Sequence, residues 1–117
     1  MNGSGGPAAA APLRLETQDI EDLELLHEEL RGVPGIRVGA VSSVPEPGEQ
    51  GATIDFLTVA LSAGGGLTAL INLLRAIIES RGPAFRLTMR RGKEKVELTA
   101  DNLDEALPLV RELMNGS

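Results

Sequence analysis

The stretch Ala52-Thr-Ile-Asp-Phe-Leu-Thr-Val-Ala-Leu-Ser-Ala-Gly-Gly-Gly-Leu-Thr-Ala-Leu-Ile-Asn-Leu-Leu-Arg-Ala-Ile-Ile-Glu-Ser-Arg81 decides how the chain is read, because no other part is apolar enough to form the centre of a core. From Phe56 to Leu74 it carries no charge. One reading is a transmembrane helix, since about 20 apolar residues span a bilayer. Asp55 and Arg75 near its ends oppose that reading, as do Gly64, Gly65 and Gly66 in its middle. Each mid-helix glycine costs about 1 kcal/mol relative to alanine, and the chain has no Trp or Tyr for an interfacial belt. A second reading is two helices broken at the glycines. Ile54, Leu57, Thr58 and Leu61 then share one face, and Leu67, Leu70, Ile71, Leu74, Ile77 and Ile78 form a wide stripe on the next helix. A third makes Phe56 to Leu61 a strand, because Phe, Thr and Val favour strands, although polar and apolar residues alternate poorly there. The helical period predicts the broken pair, with the 67–81 helix packed in the core.

The 117 residues suit one domain with a core that needs no staples. Without cysteine there is neither a disulfide nor thiol chemistry, and with His27 as the one histidine a His/Cys zinc site is excluded. A net charge of −6 argues against a nucleic-acid surface, and Phe56 and Phe85 as the only aromatics leave no base-stacking platform. Residues 1–12, rich in Gly, Ala and Pro, read as a disordered linker-like tail, and 13–117 as a single α+β domain. The tail has neither the basic nor the long apolar region of a signal peptide, so the expected location is the cytoplasm.

Along the chain, Leu13-Arg-Leu-Glu16 alternates and reads as a first strand. Residues 17–19 offer N-caps, after which Ile20, Leu23, Leu26 and Leu30 recur on one face of an acidic helix that stops at Arg31-Gly32. Glu21 and Asp22 in its first turn complement the helix dipole. Ile36 to Val41 is a second strand, and Ser42 to Gly51 a Pro/Gly loop. After the central run, Ala84–Arg91 and Lys93–Ala100 form a hairpin through Gly92, with Phe85, Leu87 and Met89 facing one side. The hairpin holds five of the 11 basic residues but only two acids. Asp101-Asn102 caps a final helix lined by Leu103, Leu107, Val110 and Leu113, in which Pro108 predicts a kink or a late start. The expected architecture is therefore α+β. A four-stranded mixed or antiparallel sheet is covered by helices, with a long central apolar helix, in the order β-α-β-α-α-β-β-α.

No catalytic constellation emerges. His27 lies among acids on the first helix, with no nucleophile aimed at it, and reads as a surface histidine. Gly64-Gly65-Gly66 precedes a helix but lacks the GxGxxG or GxxxxGK[ST] pattern of a phosphate loop. No cofactor, metal or catalytic residue is assigned, and the expectation is a protein that is not an enzyme.

The run Gly51-Ala-Thr-Ile-Asp-Phe-Leu-Thr-Val-Ala-Leu-Ser-Ala-Gly-Gly-Gly-Leu67, the helix end Ile77-Ile-Glu-Ser-Arg81 and the strands Phe85–Met89 and Val96–Thr99 resemble the effector-associated constant component of actinobacterial conflict systems. The resemblance spans Leu13 to Leu113. It implies a non-catalytic adaptor encoded beside a variable effector, often a trypsin-like or caspase-like peptidase, and brings no catalytic residues with it. Two surfaces are candidates for the partner. Phe56 and Val59 belong to a segment with more apolar residues than one core stripe uses, and Arg86, Arg90 and Lys95 offer a basic hairpin face to an acidic partner. A homo-oligomer stays open. The alternative function is a membrane-associated regulator anchored through residues 52–81.

Overall fold

The structure, a computed structural model, describes residues 12–42, 54–62 and 64–115. The expected tail, and the loop from residue 43 onward, lie outside the described residues apart from Pro12. The elements are β1 (Leu13–Thr17), α1 (Ile20–Arg31), β2 (Ile36–Ser42), β3 (Ile54–Leu61), α2 (Gly66–Arg81), β4 (Leu87–Arg91), β5 (Glu94–Leu98) and α3 (Leu103–Asn115).

Five strands form one sheet in the order β2-β3-β1-β4-β5, and every neighbouring pair is antiparallel. The expected four strands are thus corrected to five, and the element order to β-α-β-β-α-β-β-α. The added strand is Ile54–Leu61, which forms no helix. It lies between β2 and β1, so its backbone groups bond on both sides. Leu57 and Val59 are buried beneath the helices, while Phe56, Thr58 and Ala60 point to the opposite face. Because two of those three outward residues are apolar, a period of two in position leaves no period of two in polarity, and the strand resembles an apolar helical segment. The long central apolar helix shrinks accordingly to the 16 residues of α2. Among the described residues no helix is long and apolar enough to cross a membrane, so the reading of a membrane anchor in residues 52–81 loses its structural basis.

All the strongly buried strand residues share one face. Leu13, Leu15, Leu57, Leu87, Met89 and Leu98 are at most 1% exposed and meet Leu26, Leu30, Leu70, Leu74, Ile78 and Val110 from the helices. Each such side chain contributes about 1.5–3 kcal/mol of burial. Helix α1 packs over β1, β2 and β3, and α3 over β4 and β5. Helix α2 is tied to both neighbours, through Arg81 Nη2 to Asp22 Oδ1 of α1 at 2.6 Å and Arg75 Nη1 to Asp104 Oδ1 of α3 at 3.6 Å. Asp22 is the one buried charged side chain among the described residues, and Arg81 supplies the countercharge it needs. β1 and β2 run parallel with β3 between them, a split β-α-β arrangement.

Helix α3 starts at Leu103 and runs through Pro108, so no late start occurs. Asn102 ties its beginning to β5: the side chain accepts the Thr99 N–H at 2.8 Å and donates to the Glu97 carbonyl at 2.8 Å. The last turn of α3 contains no basic residue. A strand supplies one instead, as Arg91 Nη1 of β4 donates to the carbonyls of Leu113 at 2.9 Å and Met114 at 2.6 Å, two of the acceptors that a helix end leaves unpaired. Arg91→Met keeps the aliphatic stem and removes these bonds. It is expected to cost about 1–3 kcal/mol and to speed amide exchange in the last turn of α3 before any other element. Unchanged exchange there would show that packing alone holds the turn.

Candidate partner-binding face

The sheet has one face under the helices and one face that none of them covers. On the open face, strand register sets side chains in rows. Gly39, Thr58, Arg14, Arg90 and Lys95 are consecutive partners across all five strands. Three cations therefore stand side by side on β1, β4 and β5. Like charges directly opposite on neighbouring strands are destabilising, so this row carries an electrostatic cost that the fold itself does not require.

Only part of that cost is offset. Glu16, two residues along β1, reaches Arg90 Nε at 3.3 Å and Arg14 Nη2 at 3.7 Å, one carboxylate shared between two guanidinium groups. The guanidinium of Arg14 also lies over the ring of Phe56, 3.7 Å from its centroid, which combines cation–π attraction with cover for the ring. The Nε of Arg14 is buried there and has no hydrogen-bond partner among the described residues. Lys95 and Arg37, both exposed on this face, have no ion-pair partner among the described residues. Charge is sorted by layer: acids outnumber bases on α1 and α3 and bases outnumber acids on the open sheet face, although the whole chain is at −6.

The residues singled out from sequence fall in different places. Phe56, Arg90 and Lys95 come together on the open face. Arg86 is exposed in the segment just before β4. Val59 is 5% exposed and points into the helix layer, so its side chain is not part of this surface. Arg14, Glu16 and Arg37 were not singled out. The signal for the first two was present, since the alternation of Leu13-Arg14-Leu15-Glu16 sends both charges to the face away from the leucines. That β1 lies next to β3 and β4, which brings Arg14 to Phe56 and Arg90, is a property of strand order. His27 is partly buried on α1. A surface depression of about 440 Å³ is lined by Gly35, Ile36, Arg37, Ala60, Leu61 and Ser62, a set without carboxylate or imidazole. Among the described residues no group of three or more His, Cys, Asp or Glu side chains could hold a metal ion.

The class the fold defines is a helix-covered antiparallel sheet with a charged open face. The family described as Effector Associated Constant Component 1 matches residues 16–114, and the chain belongs to that family. It is thereby an effector-associated component, in a family not known to be catalytic. Comparison with curated proteins and with solved structures finds no match.

Proposed function

We propose that the chain is a non-catalytic adaptor in a bacterial conflict system, acting in the cytoplasm, and that it binds a separately encoded effector through the open face of its sheet. The effector class that fits the family is a trypsin-like or caspase-like peptidase encoded nearby. One observation carries the choice of surface: Arg14, Arg90 and Lys95 form a row of cations across three strands, with Phe56 beside it. An acidic patch on the effector relieves the like-charge contact that the isolated chain tolerates, and Phe56 with the stem of Arg14 supplies apolar area. The family's association with an effector supports the existence of such a contact, and the exposure of Arg90 and Lys95 supports their availability.

The test is co-expression with the neighbouring gene product, capture, and titration calorimetry of the purified pair. Arg90→Glu combined with Lys95→Glu is expected to weaken binding about 100-fold, since close charge pairs at interfaces couple by roughly 1.5–7 kcal/mol. The wild-type affinity should fall as salt rises, and the variant's should fall far less. Wild-type affinity in the double variant, with the fold intact by circular dichroism, would remove this face from the interface.

A further inference from the structure

The two edges of the sheet are protected unequally. β5 is a five-residue edge strand, Glu94-Lys-Val-Glu-Leu98, with three charges that discourage further pairing. β2 is a seven-residue edge, Ile36-Arg-Val-Gly-Ala-Val-Ser42, in which Arg37 is the only charge and no proline occurs. Its one irregularity is the bulge at its far end, between Val41 and Ser42. Among the described residues no strand pairs with its outer side. Among the described residues, Val41, on that strand, is one of three large hydrophobic residues left exposed, at 38%. Long uncharged edges are normally blunted, and one left open is a template for another strand.

We propose that the occupant is a second copy of this chain, paired β2 to β2 in antiparallel fashion about Gly39. This register brings the exposed Val41 of each copy opposite Arg37 of the other. Centred on Gly39, the pairing sets Val38 opposite Ala40 and Arg37 opposite Val41 in both halves. Every opposed pair then lies on the same face: Val38 and Ala40 on the helix side, Arg37 and Val41 on the open side. The two-fold axis passes between two glycines, where no side chains collide. No cation meets a cation, and the stem of Arg37 covers the exposed Val41 of the other copy. A two-fold contact of this kind is self-complementary and closes at two copies. The product is one ten-stranded sheet with both helix layers on one side. The cation rows of the two copies lie on the same open face, so a dimer presents the effector-binding surface twice. The dimer is independent of that binding and is tested without an effector.

Sedimentation velocity of the purified full chain from about 10 µM to about 1 mM covers the range in which a single strand pair gives a measurable dimer. The expected result is a monomer–dimer equilibrium that responds to charge at residue 41. Val41→Glu, opposite Arg37, tightens the dissociation constant about tenfold, and Val41→Lys loosens it about tenfold, because two symmetric cross-strand charge pairs change together. Arg37→Glu combined with Val41→Lys restores the affinity lost in Val41→Lys alone. Both positions are exposed, so the variants are expected to fold, and far-UV circular dichroism checks that they do. A monomer at every concentration overturns the proposal, even if β2 later proves to pair with an effector strand. So does a dimer whose dissociation constant ignores the charge at residue 41, because its interface lies elsewhere.

Discussion

Val59→Asp is expected to abolish cooperative unfolding, while Ala60→Lys, one residue on, lowers the urea midpoint only modestly. Val59 is 5% exposed among the leucines of β1 and the helix layer, and Ala60 is exposed on the open face. The aspartate loses the burial of a valine, about 1.5–3 kcal/mol, and places a carboxylate where the described surroundings are apolar. The total is expected to exceed about 4 kcal/mol. Against a domain stability of roughly 5–15 kcal/mol, that removes most of the margin. Ala60→Lys adds a solvated chain opposite Arg37 on β2, a like-charge pair that should cost no more than about 1 kcal/mol. The contrast also separates strand from helix, because a helix through residues 54–61 would place residues 57, 58 and 61 together on the buried side. A folded Val59→Asp protein that had lost only effector binding would return Val59 to the surface and overturn the strand assignment.

Gly66→Ala is expected to destabilise by about 1–3 kcal/mol, whereas Gly65→Ala should cost less, about 0.5–1 kcal/mol, because alanine is a poorer N-cap than glycine. A Cβ on Gly66 would stand 2.8 Å from the carbonyl oxygen of Gly35 and 3.1 Å from the Cβ of Leu61. Neither neighbour can yield easily. The Gly35 carbonyl is held by the Ser62 N–H at 2.9 Å, and Gly35 itself adopts φ +88. The first turn of α2 therefore packs directly on the turn that starts β2, and only a glycine allows that approach. A Cβ on Gly65 meets nothing within 4 Å, so the substitution there meets no clash and its cost is that of the N-cap position alone. Thermal denaturation of the two variants against the parent gives the comparison. Equal midpoints would mean that the segment before α2 can move away from Gly35 at little cost.

Much of the molecule could be read without coordinates wherever period and polarity coincide. In α1 apolar residues recur every three or four positions and, Leu25 and His27 apart, the rest are charged, so Leu23, Leu26 and Leu30 identify themselves as core. In the β4–β5 hairpin Leu87, Met89 and Leu98 alternate with Arg90, Lys95 and Glu97, so strand and face are both legible, and Gly92, at φ +63, marks the turn. Family membership was legible for a related reason, since it rests on the same hydrophobic order along nearly the whole chain.

What sequence alone determined, then, is the set of segments whose two faces differ in chemistry. Only the tertiary structure decided β3 and the make-up of the open sheet face. β3 sits centrally, where Leu57 meets the helices and Phe56 sits beneath the Arg14 guanidinium, so both of its faces carry apolar residues and its period disappears. The cation row depends on which strands are neighbours. Arg14, Arg90 and Lys95 come from separate parts of the chain, and only the order β1-β4-β5 places them side by side. Strand order follows from how the whole core closes, a balance of long-range burial that no local window of sequence contains.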